Sequence, residues 1–133
     1  MQHRPCNLMR SLPSLSIHLY SEVELSAKAL STSGCIMMPS FEILKMPSKS
    51  AAVSFNSCSL AEMSPTTIDV YIDQITRITS GYFLHVNHNR HAVLSADEFR
   101  VEERGFKLVS RDLTGWTQGI NRSSDEYEYL YQA

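Results

Sequence analysis

The sequence predicts an α/β fold, with parallel strands, a terminal antiparallel pair and helices on both faces of the sheet. Three observations carry this expectation. From Asn56 to Asn87 a buried strand runs into a polar turn, a capped helix and a second apolar strand, which is one βαβ crossover. Cys35-Ile36-Met37-Met38 is a short apolar run closed by Gly34 and Pro39, the pattern of a strand covered on both sides. After Asn87 the strand-like segments follow one another without room for helical crossovers, so the last two must run antiparallel.

Taken in order, residues 1–13 form an irregular N-terminal segment. Ser14 to Leu19 alternates, with Leu15, Ile17 and Leu19 on one face. Ser21 and Glu24 match a capping box, which predicts a helix over 22–30 that stops at Gly34. Phe41 to Leu44 reads as a helical turn or an extended stretch, and Met46 to Ser50 as a turn. Ala51 to Asn56 is the next buried strand. Ser64 and Pro65 supply an N-cap and a first-turn proline. Ile68, Tyr71, Ile72, Ile75 and Ile78 then recur on one helical face, with Asp73 and Arg77 as an i,i+4 pair on another. Gly81 to Asn87, Glu98 to Val101, Phe106 to Arg111 and Tyr127 to Tyr131 read as strands.

Composition narrows the function classes. The 133 residues suit one domain, and 43% hydrophobic against 20% charged residues supports a packed core. Net charge is −2, and no basic patch with interleaved aromatics offers itself to nucleic acid. No apolar run approaches the ~20 residues that cross a bilayer. The start carries basic residues but no apolar stretch after them, so a cytoplasmic location is expected. Three widely spaced cysteines form neither a disulfide framework nor a C-x-x-C site, and they are expected as buried free thiols.

In open α/β sheets, ligands sit at the carboxyl ends of the strands. That places the chemistry around Asn56 to Glu62 and Asn87 to Arg90. Glu62 can orient an acceptor hydroxyl or act as a general base, or else favour the positive end of the following helix. His88 follows a strand tip, and an imidazole near neutral pKa suits a base there. Asn87 offers hydrogen bonds at the same tip. His85, His88 and His91 spell H-x-x-H-x-x-H, but on a strand His85 and His88 point to opposite faces, so no metal is expected. Asn56, Ser57 and Ser59 equally satisfy turn backbone. Arg90 reads as a ligand contact or a solvated charge, and Trp116 as core material or a stacking platform.

Several of these residues carry a resemblance. Phe55-Asn56-Ser57-Cys58-Ser59-Leu60-Ala61-Glu62-Met63 is similar to the Asn-x-x-Ser-x-x-Glu-Met turn of the sugar O-methyltransferase group within the Rossmann-like S-adenosylmethionine-dependent methyltransferases. Tyr71, Tyr82 to Asn87, Phe106 to Val109, Trp116 and Glu126 to Tyr131 continue it, and Ile17 to Glu22 resembles the group's second strand end. The resemblance covers residues 15–131. It implies an incomplete Rossmann-like sheet over 14–133 and methyl transfer from S-adenosyl-L-methionine to the hydroxyl of a sugar or sugar-nucleotide acceptor. It further implies His18, Pro39, Asn56 and Ser57 as cofactor contacts, Ser59, Asn87, Arg90 and Trp116 as acceptor contacts, and Glu62 and His88 as catalytic residues.

The chain departs from the group twice. None of its five glycines forms the G-x-G of the first βα unit, where backbone approaches the cofactor closely. His18 stands where the group has an acidic residue for the ribose hydroxyls, and a neutral imidazole lacks that charge. A fragment of an enzyme, completed by an N-terminal chain or a homo-oligomer, is one expectation. A non-catalytic remnant that binds a partner is the other.

Overall fold

The computed structural model describes residues 17–19, 35–89, 92–115 and 125–133. The chain divides into two compact units, Met1–Lys45 and Met46–Ala133.

In the first unit, β1 (Ile17–Leu19) pairs in parallel with β2 (Cys35–Met37), with His18 opposite Ile36. The helix expected over 22–30 lies outside the described residues. Cys35 and Met37 are exposed, so β2 is not the doubly covered strand that its apolar run suggested. A run bounded by Gly and Pro specifies an extended segment, but not what packs on it. A 3₁₀ helix, Ser40–Lys45, follows, and its Glu42 and Lys45 form an ion pair at 2.7 Å.

The second unit holds a four-stranded mixed sheet in the order β3-β4-β6-β5: β3 (Ala51–Ser57), β4 (Thr79–His88), β5 (Lys107–Leu113) and β6 (Glu126–Gln132). β3 and β4 are parallel and joined by α1 (Pro65–Ile78), which is the expected crossover. β6 lies between β4 and β5 and runs antiparallel to both. The chain therefore forms a small α/β fold with a parallel half and an antiparallel end.

α1 starts as its sequence dictates. The Ser64 Oγ accepts a hydrogen bond from the Thr67 N–H, and Pro65 fills the first helical position. Ile68, Ile72, Ile75 and Ile78 are buried and Tyr71 is half-buried. The buried face of the sheet carries Phe83, His85, Asn87, Tyr129 and Tyr131, which share one side by register. Phe99 and Phe106 close over it, their ring centroids 5.5 Å from His85 and 6.0 Å from Phe83. Outside this core, Arg100 and Arg104 clamp Asp69 of α1 at 2.9 and 2.5 Å, and Arg104 also reaches Asp73 at 2.6 Å. The Arg104 hydrogen bond, with the Arg100 charge, holds Asp69 below its ordinary pKa.

Two expectations are corrected here. Glu98 to Val101 is not a strand: 3₁₀ turns occupy Ala96–Glu98 and Glu102–Arg104, and Phe99 and Val101 serve as core plugs between them. Nor, among the described residues of this unit, do helices cover both faces. On the side opposite the core, neighbouring Val53 and Tyr82 are 59% and 43% exposed. β3 therefore carries only half-buried and exposed residues rather than being buried throughout.

Gly81 is required where it stands. Pairing slips between Ala51↔Thr79 and Val53↔Tyr82, so β4 bulges against β3. A Cβ on Gly81 would meet the Ala52 carbonyl oxygen at 2.6 Å. Gly81→Ala is expected to lower unfolding stability by about 1–3 kcal/mol in a urea titration, because the obstruction is backbone and cannot rotate away.

Candidate functional site at the strand tips

Parallel pairing brings the carboxyl ends of β3 and β4 to one edge, and antiparallel β6 brings its amino end there too. At this edge β3 breaks sharply. Cys58 adopts φ 55°, a left-handed conformation that is costly for a residue with a side chain. Its N–H donates to the Val86 carbonyl at 2.8 Å, which pins the turn to β4. A 3₁₀ helix, Leu60–Glu62, then leads to α1, with Leu60 and Ala61 buried beneath it.

The two residues expected to be catalytic meet here. Glu62 Oε1 lies 2.9 Å from His88 Nε2, although they are 26 positions apart in the chain. The Glu62 side chain is 60% exposed and that of His88 is 20% exposed, so the pair faces solvent from a half-covered niche. A carboxylate on one ring nitrogen fixes the tautomer and leaves the other nitrogen to take a proton.

Asn87 is fully buried and works beneath this surface rather than on it. Its Oδ1 accepts from the Ala61 N–H at 3.3 Å, and its Nδ2 donates to Asn56 Oδ1 at 3.1 Å and to His85 Nδ1 at 3.2 Å. The half-buried Asn56 in turn donates its Nδ2 to Ser59 Oγ at 2.5 Å. Both asparagines and Ser59 thus tie the turn together. Ser57 is exposed, with its Oγ 3.7 Å from Cys58 Sγ. Pro39 is exposed in the first unit, where its carbonyl accepts from the Glu42 N–H. His18 has its backbone in β1. Arg90 and Trp116 lie outside the described residues.

His85 points into the core, away from His88, as strand alternation requires. Stacked on Tyr129 at 4.6 Å, it is fully buried, and its Nε2 finds no hydrogen-bond partner. Because Asn87 donates to Nδ1, the proton of the neutral ring sits on Nε2. Burial drives its pKa down to about 3, against a weak opposing pull from Asp97.

Further along the same edge, Asp97 accepts from Tyr129 Oη at 2.7 Å, from Arg111 Nη2 at 2.9 Å and from Asn89 Nδ2 at 3.0 Å. Burial opposes its charge, but the Tyr129 and Arg111 hydrogen bonds outweigh that and hold its pKa down. This network braces the loop after β4 against β5 and β6.

Two residues at the edge escaped the sequence reading. Cys58 is half-buried and, in the first unit, Cys35 is exposed, against the expectation of buried thiols, while Cys6 lies outside the described residues. Glu126 pairs with His88 across β4 and β6, so both side chains leave the same face. Antiparallel pairing of the last strand beside β4 was the missing information, because the alternation in Glu126-Tyr127-Glu128-Tyr129 already separates the acids from the aromatics.

No family model matches this chain, and a search of curated proteins also finds no match. Among the described residues, no helix is long and apolar enough to cross a membrane.

Proposed function

We propose that this chain handles the acceptor in S-adenosylmethionine-dependent methyl transfer to a sugar hydroxyl, with His88 as the base and Glu62 as its orienting partner. The observation that carries the proposal is the 2.9 Å Glu62–His88 contact at the joined carboxyl ends of two parallel strands. The acceptor hydroxyl gives its proton to the ring nitrogen that Glu62 leaves free, and the Glu62 carboxylate stabilises the imidazolium that results. Much of the rate in such a reaction comes from positioning. The mixed sheet, parallel first and antiparallel last, is the order that the resemblance implies.

The residues fit the cofactor less well than the acceptor. Asn56 spends its side chain on Ser59 and Asn87, and Ser57 presents a polar side chain outward. The sequence has no glycine turn to let backbone approach a sulfonium ligand. No step is therefore routed through the cofactor, and a complementing chain or second copy is the partner that would complete its cradle.

Calorimetry on the purified chain tests this reading. Binding of S-adenosylmethionine at about 100 µM or tighter, roughly −5.5 kcal/mol, is the result that supports it, with a second copy of the chain completing the cradle. Labelled methyl should reach a sugar hydroxyl, and His88→Gln should lower kcat by about 10²–10⁴-fold with little change in KM. No binding heat at millimolar cofactor, or full activity in the variant, rejects it.

One observation favours a second reading, a non-catalytic module that binds a partner. The exposed Val53 and Tyr82 adjoin the half-buried Leu84 and Leu130 on the uncovered face of the sheet, which forms an apolar patch.

A further inference from the structure

Three different metal-ligating groups converge at the strand tips. One ligand atom each from Cys58, His88 and Glu126 lies within 4.8 Å of the other two, and all three side chains are half-buried. They come from three separate pieces of backbone: the turn after β3, the end of β4 and the start of β6. The backbone arranges this at some cost. Cys58 holds φ 55° and is locked there by its N–H bond to Val86, while His88 and Glu126 are cross-strand partners. A non-glycine residue in that conformation costs on the order of 1–3 kcal/mol, and such strain gathers at working sites.

From this geometry we infer that Cys58, His88 and Glu126 bind a divalent zinc ion, with a fourth position open to water or a hydroxyl. The donor set decides the metal. Thiolate and imidazole together favour zinc over magnesium or calcium, which take oxygen, and zinc accepts a carboxylate as its third protein ligand. Three protein ligands with an open fourth place is the catalytic rather than the structural arrangement. Glu62 completes the set. A ligating histidine gives its second ring nitrogen to a carboxylate or carbonyl, and Glu62 stands 2.9 Å from the His88 ring. This site is a different one from the H-x-x-H-x-x-H pattern, whose His85 lies buried on the other side of the sheet.

The inference stands apart from methyl transfer, because it rests on ligand placement alone. With zinc bound, the His88 nitrogen is occupied and the metal itself acidifies an oxygen at the open position.

The test is titration of the full chain with zinc chloride, and with cobalt chloride as a coloured substitute, in the absence of S-adenosylmethionine. Zinc should bind with one ion per chain, and cobalt should give a thiolate charge-transfer band with the strong visible absorption of four-coordinate cobalt. Cys58→Ser and Glu126→Gln should each weaken zinc binding by at least ~100-fold, and Glu62→Gln by about 10–100-fold. The band should persist in a Cys6→Ser/Cys35→Ser chain, which keeps the turn intact and needs no change at the site. Loss of the band in that chain, absence of zinc binding at ~100 µM, or unchanged affinity in folded Cys58→Ser would overturn the inference. Since no cofactor enters the titration, zinc binding can fail while methyl transfer survives, and the reverse.

Discussion

Replacing His85 with phenylalanine should remove most of the chain's loss of stability between pH 6.5 and about 4. The buried ring stays neutral in the folded state down to a pKa of about 3, whereas the unfolded ring titrates at 6.5. Above pH 6.5 both states are neutral, and the contribution is fully present. As pH falls below 6.5 the unfolded state binds a proton that the folded state refuses, so stability declines by about 1.4 kcal/mol per pH unit. Over the window to pH 4 this one group accounts for roughly 3 kcal/mol, a large share of the ~5–15 kcal/mol that holds a small domain together. Asp69 and Asp97 are also pushed below their ordinary 3.8, so their losses fall below that window. Phenylalanine keeps the stack on Tyr129 and removes the unpartnered Nε2 proton, but leaves Asn87 Nδ2 one acceptor short. Stability at neutral pH should therefore change by only about 1 kcal/mol. Urea midpoints measured from pH 7 to 4 read the difference directly. Parallel curves for the two proteins would mean that His85 does not set the acid limb.

The second large effect is expected at Asn87. Asn87→Leu keeps the volume but leaves the Ala61 N–H, Asn56 Oδ1 and His85 Nδ1 without this partner. Leaving the two buried groups, the Ala61 N–H and His85 Nδ1, unsatisfied at ~1–3 kcal/mol each predicts a loss of about 2–6 kcal/mol. The damage should also reach the surface. Asn87 joins the 3₁₀ segment before Glu62 to the strand before His88, so the Glu62–His88 contact and the position of Cys58 depend on it. Chemical denaturation should show the stability loss, and the cobalt band should weaken in whatever fraction stays folded. A variant as stable as the parent would show that the asparagine network is ornamental.

Much of the second unit was legible in the sequence, for identifiable reasons. Ser64-Pro65 and the isoleucine repeat announced α1, since capping and periodicity are local chemistry. Gly81 marked the strand after it, and the shortage of residues past Asn87 required the antiparallel ending. Glu62 and His88 were both named from their positions beside strand tips, but their contact depends on register, which no local pattern encodes. Glu98 to Val101 misled because two large apolar side chains two residues apart (Phe99 and Val101, with Ala96 before them) suit a turn that drops plugs into a core as well as a strand. Cys58 was read as packing because its strained backbone depends on the bond to Val86, which follows from tertiary pairing. The coverage of each sheet face was unreadable for the same reason: alternation shows which residues differ, and not what lies over them.

The bulged β3–β4 ribbon, with core on one side and, around Val53 and Tyr82, water on the other, sets how this protein tolerates change. Side chains at Phe83 and His85 meet a filled interior and Ser54 its half-covered margin, while those at Val53 and Tyr82 meet solvent. Successive positions along one strand thus live under opposite rules. Random mutagenesis of the ribbon should return a two-beat rhythm of forbidden and permitted letters that slips at the glycine and gives way to unbroken intolerance from His85 to Asn87, where successive residues are all buried.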